Sequence, residues 1–382
     1  MKASLKTIAD QPSWVVRSSD VELAVTQLGG HMAPVTFYRK SRTPVQPYYV
    51  NPWHGEGHKI DEPVLVPLRG DFFCLPFGEN GEYRGVKHNV HGEPAGNRWT
   101  FRALETSGRL TRLTLSMSTR KLPGKITKHL ALLDGQNVVY VQHVLEGFSC
   151  STSLGHHATL AVPETEGALR VATSPIRFGM SNPLPTGDPA TGEYPSIVPH
   201  QRFQGLSKVA LIWKDPPAGD LSALPARTGF TDLVAVFNKR RPAPAWTTAT
   251  VDELGYLWFS LKDPAVLPTT ILWISNRGRH MPPWNGRNRC LGLEDVCGFF
   301  AMGLAASTRS NALSRQGVGT SVRLSPKAPA AINYIEGVVR IPRGFRKVRA
   351  ASFAPGKVTF TSVTGKKVTA RVNHAFLATG EL

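Results

Sequence analysis

Three short stretches carry the residue types from which acid–base and binding chemistry is built. The first runs Arg69-Gly70-Asp71-Phe72-Phe73-Cys74-Leu75-Pro76-Phe77-Gly78 and continues with His91-Gly92-Glu93-Pro94-Ala95-Gly96-Asn97-Arg98-Trp99. An arginine such as Arg69 fixes a hydroxyl or an anion through its rigid fork of donors. The glycines let backbone and ligand approach closely, and a neutral His91 exchanges hydrogen bonds with a ligand oxygen near neutral pH. Trp99 could stack on a ligand ring, but a large aromatic in this setting is read first as core. The second stretch is Gly155-His156-His157-Ala158-Thr159-Leu160. Adjacent residues of a strand point to opposite faces, so at most one of the two histidines enters a shared cleft, and joint ligation of a metal is awkward. The third is Cys290-Leu291-Gly292-Leu293-Glu294-Asp295-Val296-Cys297-Gly298. Glu294 follows an apolar run, and a carboxylate buried there near histidine and arginine would be tuned toward general-base work.

The elements that must position these residues read as strands. Trp14-Val15-Val16-Arg17, Val21 to Thr26, Leu113 to Met117, Val138 to Val141, Leu233 to Phe237, Leu257 to Leu261 and Thr270 to Ile274 all have strand character. Long helical periodicity is scarce; Gly298 to Ala306 reads as a short helix or a loop. Pro175 to Gln204, rich in Pro, Gly, Ser and Thr, reads as an excursion packed on a sheet edge or over a cleft. Near Ser325-Pro326-Lys327-Ala328-Pro329 the composition suggests a boundary, giving a main domain over residues 1–326. Residues 327–382 are then a C-terminal extension of strands, either an appendage or the close of the same fold. The 35 glycines and 30 prolines are spread along the chain, as many short strands joined by turns require.

The net charge of +18 favours acidic partners in general. The cations are scattered, however, and Lys239-Arg240-Arg241 is a run of only three, so the charge reads as a generally basic surface. Nothing resembles a nucleic-acid-binding motif. Four cysteines, none in a CxxC pair, argue against a disulfide scaffold and a structural zinc. The first residues lack the apolar run of a signal peptide, and no segment is long and apolar enough to span a membrane. The expectation is a cytoplasmic protein with free thiols.

Taken in order, Arg-Gly, Pro-Phe-Gly, His-Gly, Trp, then Gly-His-His, then Leu-Gly-Leu-Glu resembles the aldose 1-epimerase, or galactose mutarotase-like, superfamily. The order is most similar to its branch of hexose-6-phosphate mutarotase-type proteins. The resemblance spans about residues 15–325 by order and spacing. It implies an all-β fold, a β-supersandwich with a sugar cleft on one concave sheet. It further implies His157 as general acid, Glu294 as general base, and Arg69 and His91 as substrate contacts. His156 competes with His157, and Asp232, in Gly229-Phe230-Thr231-Asp232, is the candidate for an acidic residue that some members carry between acid and base. The sequence departs from the family where Thr159-Leu160 replaces an aromatic pair, and in its longer tail.

Mutarotation, the reaction so implied, needs a base on the anomeric hydroxyl and an acid on the ring oxygen, and no metal, nucleotide or redox cofactor. The expected partner is a sugar or sugar phosphate. Two other functions share the scaffold: a carbohydrate-binding protein without catalysis, and a lyase or hydrolase acting on an acidic glycan. A hydrolase normally uses two carboxylates flanking the bond, and only Glu294 is motivated as one.

Overall fold

The computed structural model describes residues 4–382. Two antiparallel sheets face each other, one of nine strands and one of seven. The seven-stranded sheet runs, in spatial order, Arg202–Phe203, Ile176–Ser181, Phe230–Asn238, Thr269–Asn276, Arg289–Cys297, Leu154–Ala161 and Phe73–Cys74. Its central strands are buried on both faces: every residue of Thr269–Asn276 is buried, as is all but the first of Arg289–Cys297. A strand covered on both sides reads as a continuous apolar run, which is why these segments stood out in the sequence. All seven of the strands expected there are present. The short helix after Glu294 spans Gly303–Thr308.

The two faces of the seven-stranded sheet belong to different cores. One face, with Ala158, Leu160, Val234, Leu272 and Leu293, packs against Leu115, Leu130, Val141 and Trp258 of the nine-stranded sheet. The other face, with Ala235, Phe237, Ile271, Trp273 and Val296, is roofed by loops carrying Tyr49, Trp53, Phe72, Trp284 and Phe300. The excursion after Ile176–Ser181 contributes to this roof. Its Tyr194 N–H donates to Gly278 O (2.9 Å), and His280 N–H donates to Gly192 O (2.9 Å), tying it to the loop that follows Thr269–Asn276.

The strand Ala330–Arg340 lies inside the nine-stranded sheet, paired on one side with Val138–Glu146 and on the other with Tyr256–Lys262. The boundary expected after residue 326 therefore falls within the sandwich. What is appended starts later, as a three-stranded sheet of Val348–Ala354, Lys357–Ser362 and Lys367–Arg371. Val358, Phe360 and Val372 of this appendage pack with Trp246, Phe259 and Val339, on the far side of the nine-stranded sheet. The functional elements expected from the sequence all precede it. Among the described residues no helix is long and apolar enough to cross a membrane, and all four cysteines are free thiols.

Candidate active site

Register decides which of the chemically capable side chains meet. In the pairing of Leu154–Ala161 with Arg289–Cys297, His157 stands opposite Glu294 and His156 opposite Asp295. Side chains alternate along a strand, so His157 and Glu294 share the loop-covered face while His156 and Asp295 enter the space between the sheets. His157 Nε2 is 3.2 Å from Glu294 Oε1. Both are almost wholly buried, at 3% and 2% exposure. Among the described residues the second oxygen of Glu294 has no partner. The glutamate lies back over Gly292, where a β-carbon would come 2.9 Å from Oε1 and 3.0 Å from the Trp273 side chain. Glycine at 292 is thus what lets the carboxyl and the indole share this strip of sheet.

Two stacked rings orient His157. Phe72 lies parallel to it at 4.5 Å and is itself backed by His31 at 4.1 Å. The His157 Nδ1 is 3.1 Å from the Thr159 hydroxyl, two residues on and on the same face. The hydroxyl either donates or accepts, so the imidazole can carry its proton on either nitrogen. Thr159, which departs from the family pattern, therefore takes part in orienting the histidine. Leu160 is on the opposite face, in the core.

His91 reaches the same place from the first stretch. Its backbone is left-handed (φ 57°), and so is that of Gly92 (φ 78°), where a β-carbon would strike Leu75 O at 2.0 Å. That turn sets the His91 ring 5.0 Å from the His157 ring, nearly perpendicular, with Phe72 and Phe77 beside it. Gly78 N–H points at His91 Nδ1 (3.4 Å), which leaves Nε2 as the free nitrogen.

Burial sets the protonation of the group. It pushes the Glu294 carboxyl well above the ordinary carboxylate range, with the nearby carboxylate of Glu79 adding to the effect. It pushes His157 well below the ordinary imidazole range, with His91 adding. His91 itself is lowered to about 3 by desolvation. Both shifts favour a carboxylic acid beside a neutral imidazole, one proton between two groups.

The sequence missed the rim. Arg279 Nε is 3.0 Å from Glu193 Oε1, and its guanidinium lies 5.1 Å from the Trp284 ring and 5.8 Å from that of Trp273. Trp273 stands edge-on to His157 at 5.7 Å. Glu79, one residue beyond the Pro-Phe-Gly segment, is exposed, and the net effect of desolvation, Arg279 and Glu193 is to raise its pKa. Two aromatic faces, a cation and carboxylates beside an acid–base pair are groups suited to a polyhydroxylated ligand.

Three of the six expected site residues are elsewhere. The Arg69 guanidinium donates to Pro67 O (3.0 Å), Ile8 O (3.0 Å) and Ala9 O (2.9 Å). It is wholly buried, and burial lowers its pKa to about 10. Its fork of donors anchors the N-terminal hairpin and is not offered to a ligand. His156 bonds Asp71 Oδ2 through Nδ1 (2.8 Å) and stacks on Tyr334 (4.1 Å), between the sheets. Asp232 stands opposite Ile274, in the phase that faces the inner core. Its carboxylate accepts from Ser196 N–H (2.7 Å), Ile197 N–H (3.1 Å) and Ser196 Oγ (2.5 Å). Trp99 is core, its Nε1–H donating to Pro94 O at 3.0 Å.

With this geometry in hand, comparison with solved structures settles the architecture. The chain superposes on a galactose mutarotase-like protein from Clostridium acetobutylicum with a TM-score of 0.59 at 11% identity, covering 88% of this chain and 98% of that one. The fold is galactose mutarotase-like. A galactose mutarotase related enzyme from Lactobacillus acidophilus matches with a TM-score of 0.53 at 10% identity, over 87% and 99% of the two chains. A candidate aldose 1-epimerase from Escherichia coli K12 gives 0.55 at 11%, over 87% and 100%. No protein-family model and no curated protein sequence matches the chain. The likeness is one of architecture, and at this identity residue roles rest on the geometry above.

Proposed function

We propose that the protein interconverts sugar anomers, as an aldose 1-epimerase-type enzyme, at the site formed by His91, His157 and Glu294. The observation that carries this reading is the 3.2 Å contact between His157 Nε2 and Glu294 Oε1 on one face of one sheet, with an unpartnered carboxyl oxygen at its centre. Ring opening removes the proton of the anomeric hydroxyl and delivers one to the ring oxygen; closure on the other face of the carbonyl reverses both transfers. A pair that shares a single proton supplies both. The proton begins on Glu294 in the resting pair, so Glu294 donates to the ring oxygen while neutral His157 accepts from the anomeric hydroxyl. The assignment implied by resemblance, with histidine as acid and glutamate as base, is the same proton count with the proton on the other partner. His91 Nε2–H holds a neighbouring hydroxyl. Trp273 and Trp284 offer apolar faces to the sugar ring, and Arg279 is the cation available to a hydroxyl or, on a sugar phosphate, to the phosphate.

A second reading has an observation of its own. His157 and Glu294 are buried against each other beneath Trp273 and the roofing loops, so a sugar reaches them only if that roof opens. A protein that holds its sugar at the Arg279–Trp284 rim would bind without catalysing. The two readings separate in an anomer-interconversion assay over free aldoses and sugar phosphates, run beside direct binding measurements. The epimerase reading requires catalysis by wild type that is lost in Glu294→Gln and His157→Asn. Equal inertness of all three with sugar binding retained leaves the binding protein.

A further inference from the structure

Two arginines far apart in the sequence, Arg240 and Arg309, are brought together by the fold at one groove. Its volume is about 490 Å³, and it lies between the Lys239-Arg240-Arg241 run and the loop that follows the helix Gly303–Thr308. Arg240 and Arg309 line it, with the hydroxyl residues Ser310 and Ser321 and the backbone of Gly317 and Gly319. At Arg240 and Gly317 it merges with a second groove of about 310 Å³, to which Arg177 contributes.

Three features mark this as a place for an anion. First, Arg240 and Arg309 are exposed, and among the described residues neither side chain makes a hydrogen bond or an ion pair with the protein. Their charge does nothing for the fold. Second, the segments that build the groove contain no carboxylate: there is none between Asp232 and Asp252, and none between Asp295 and Glu336. The acid next to the lining, Asp263 beside Pro264, accepts from Ala265 N–H (2.8 Å) and is committed to its own turn. Third, the loop is held rigid. Asn311, buried, accepts from Leu313 N–H (3.0 Å) and Ser314 N–H (2.9 Å). Through Nδ2 it donates to Ala306 O (3.1 Å), Arg309 O (3.1 Å) and Thr320 Oγ1 (3.0 Å). Arg177 clamps the far side, donating to Gln316 O at 2.8 Å. Free guanidinium groups on a rigid, acid-free, hydroxyl-bearing frame are pre-organised for charge-assisted hydrogen bonds to an oxyanion.

The class of ligand follows from what the groove lacks. Its lining has one aromatic, Phe237, and that ring is buried at 1% exposure, so no base of a single-stranded nucleic acid has a stacking platform. Hydroxyls, glycine backbone and guanidinium match the oxygen-rich surface of a charged sugar. Phe237 and Val318 belong to the same apolar cluster as Trp273, so the groove borders the face that carries Glu294. Gly319 adjoins Cys297, three residues from Glu294 along one strand and about 10 Å away at the rise of a β-strand.

We propose that this groove binds an acidic saccharide, gripping its carboxylate, sulfate or phosphate groups between Arg240 and Arg309. The saccharide rests on the sugar reading of the Glu294 site; the oxyanion grip does not. Calorimetric titration of the full chain at physiological ionic strength tests it. The probes are a uronate hexasaccharide, the same oligosaccharide sulfated, a phosphorylated oligosaccharide of equal length, inorganic phosphate and a single-stranded oligonucleotide. The expected result is that at least one acidic oligosaccharide binds, and more tightly than the oligonucleotide does. The double variant Arg240→Ser/Arg309→Ser should weaken that binding by about tenfold or more, the loss of charge-assisted bonds. The equally charged change Lys357→Ser/Lys367→Ser on the C-terminal sheet should leave it within about twofold. Which oligosaccharide binds tightest identifies the anionic group. Equal weakening by the two double variants means a diffuse field and overturns the site. No binding, or tighter binding of the oligonucleotide at the same arginines, overturns the proposal as well. Glu294→Gln should leave the titration unchanged, so a groove that binds in a protein without anomer chemistry sinks only the function proposed above.

Discussion

Two neighbouring pairs on the same two strands have opposite environments. His156 and Asp295 face the interior between the sheets; His157 and Glu294, one residue along each strand, face the loops. Asp295 receives Ser260 Oγ (2.7 Å), Thr270 Oγ1 (2.6 Å), Tyr334 OH (2.9 Å) and the Lys262 ammonium (2.6 Å). Burial alone would raise its pKa, but Lys262 and the hydroxyls more than offset this and hold it below the ordinary range. Glu294 has one histidine, a free oxygen and a second carboxylate nearby, and burial holds it protonated. The same chemical group, at the same depth, is an ionised structural element on one face and a neutral acid on the other. Hydrogen-bond completeness, more than burial, separates a group that holds the fold from one left able to exchange a proton.

The largest effect should come from breaking the completed side. Asp295→Ala leaves the Lys262 ammonium buried without its counter-charge and should cost about 3–5 kcal/mol in urea unfolding. Glu294→Gln, replacing a neutral acid by a neutral amide of the same shape, should stay within about 1 kcal/mol of wild type. Comparable losses at the two positions would break the comparison. His156→Gln is next: it removes the bond to Asp71 and should cost about 1–3 kcal/mol, while anomer interconversion per folded molecule is unchanged. Loss of that activity in the folded variant would place His156 in the site after all.

How much of this was legible in the sequence depends on what each feature needs. The strands were legible because burial on both faces makes them continuous apolar runs, and Thr269–Asn276 and Arg289–Cys297 are such runs. His91, His157 and Glu294, which the fold brings together as the candidate site, were picked out from short glycine-bearing motifs, and two of those glycines do a local job: Gly92 turns the chain and Gly292 clears space. Asp232 was misjudged because its face depends on the pairing of Phe230–Asn238 with Thr269–Asn276, and a slip of one residue would reverse it. Arg69 was misjudged because its partners, the carbonyls of Ile8 and Ala9, are about sixty residues away in sequence. The Arg279 rim was missed because two excursions meet there, joined by Glu193 and Arg279. The groove was missed because Arg240 and Arg309 become neighbours only in the fold.

A subtler effect sharpens the protonation contrast. Infrared difference spectra at neutral pH should show loss of a carboxylic-acid C=O stretch in Glu294→Gln and loss of carboxylate bands in Asp295→Asn; carboxylate loss in both would mean that Glu294 is ionised. The pH profile carries the same information. The pair works with a single proton, so kcat/KM should fall on the acid side only where His157 also protonates, and on the alkaline side only where Glu294 ionises. With His157 lowered and Glu294 raised, the acid-side fall should come below 6.5 and the alkaline-side fall above 4.5, the ordinary values of the two groups. An acid-side fall above 6.5, or an alkaline-side fall below 4.5, would contradict the assignment.

The most direct measurement of the central claim is saturation transfer between the anomeric protons of aldoses and sugar phosphates in the presence of catalytic amounts of protein. Wild type and His156→Gln, scaled to folded protein, should accelerate exchange for at least one sugar to the same degree, while His157→Asn and Glu294→Gln should lower the rate by about 10²–10⁴-fold. No acceleration of any sugar by wild type, or equal rates for wild type and Glu294→Gln, would contradict an acid–base site on the loop-covered face.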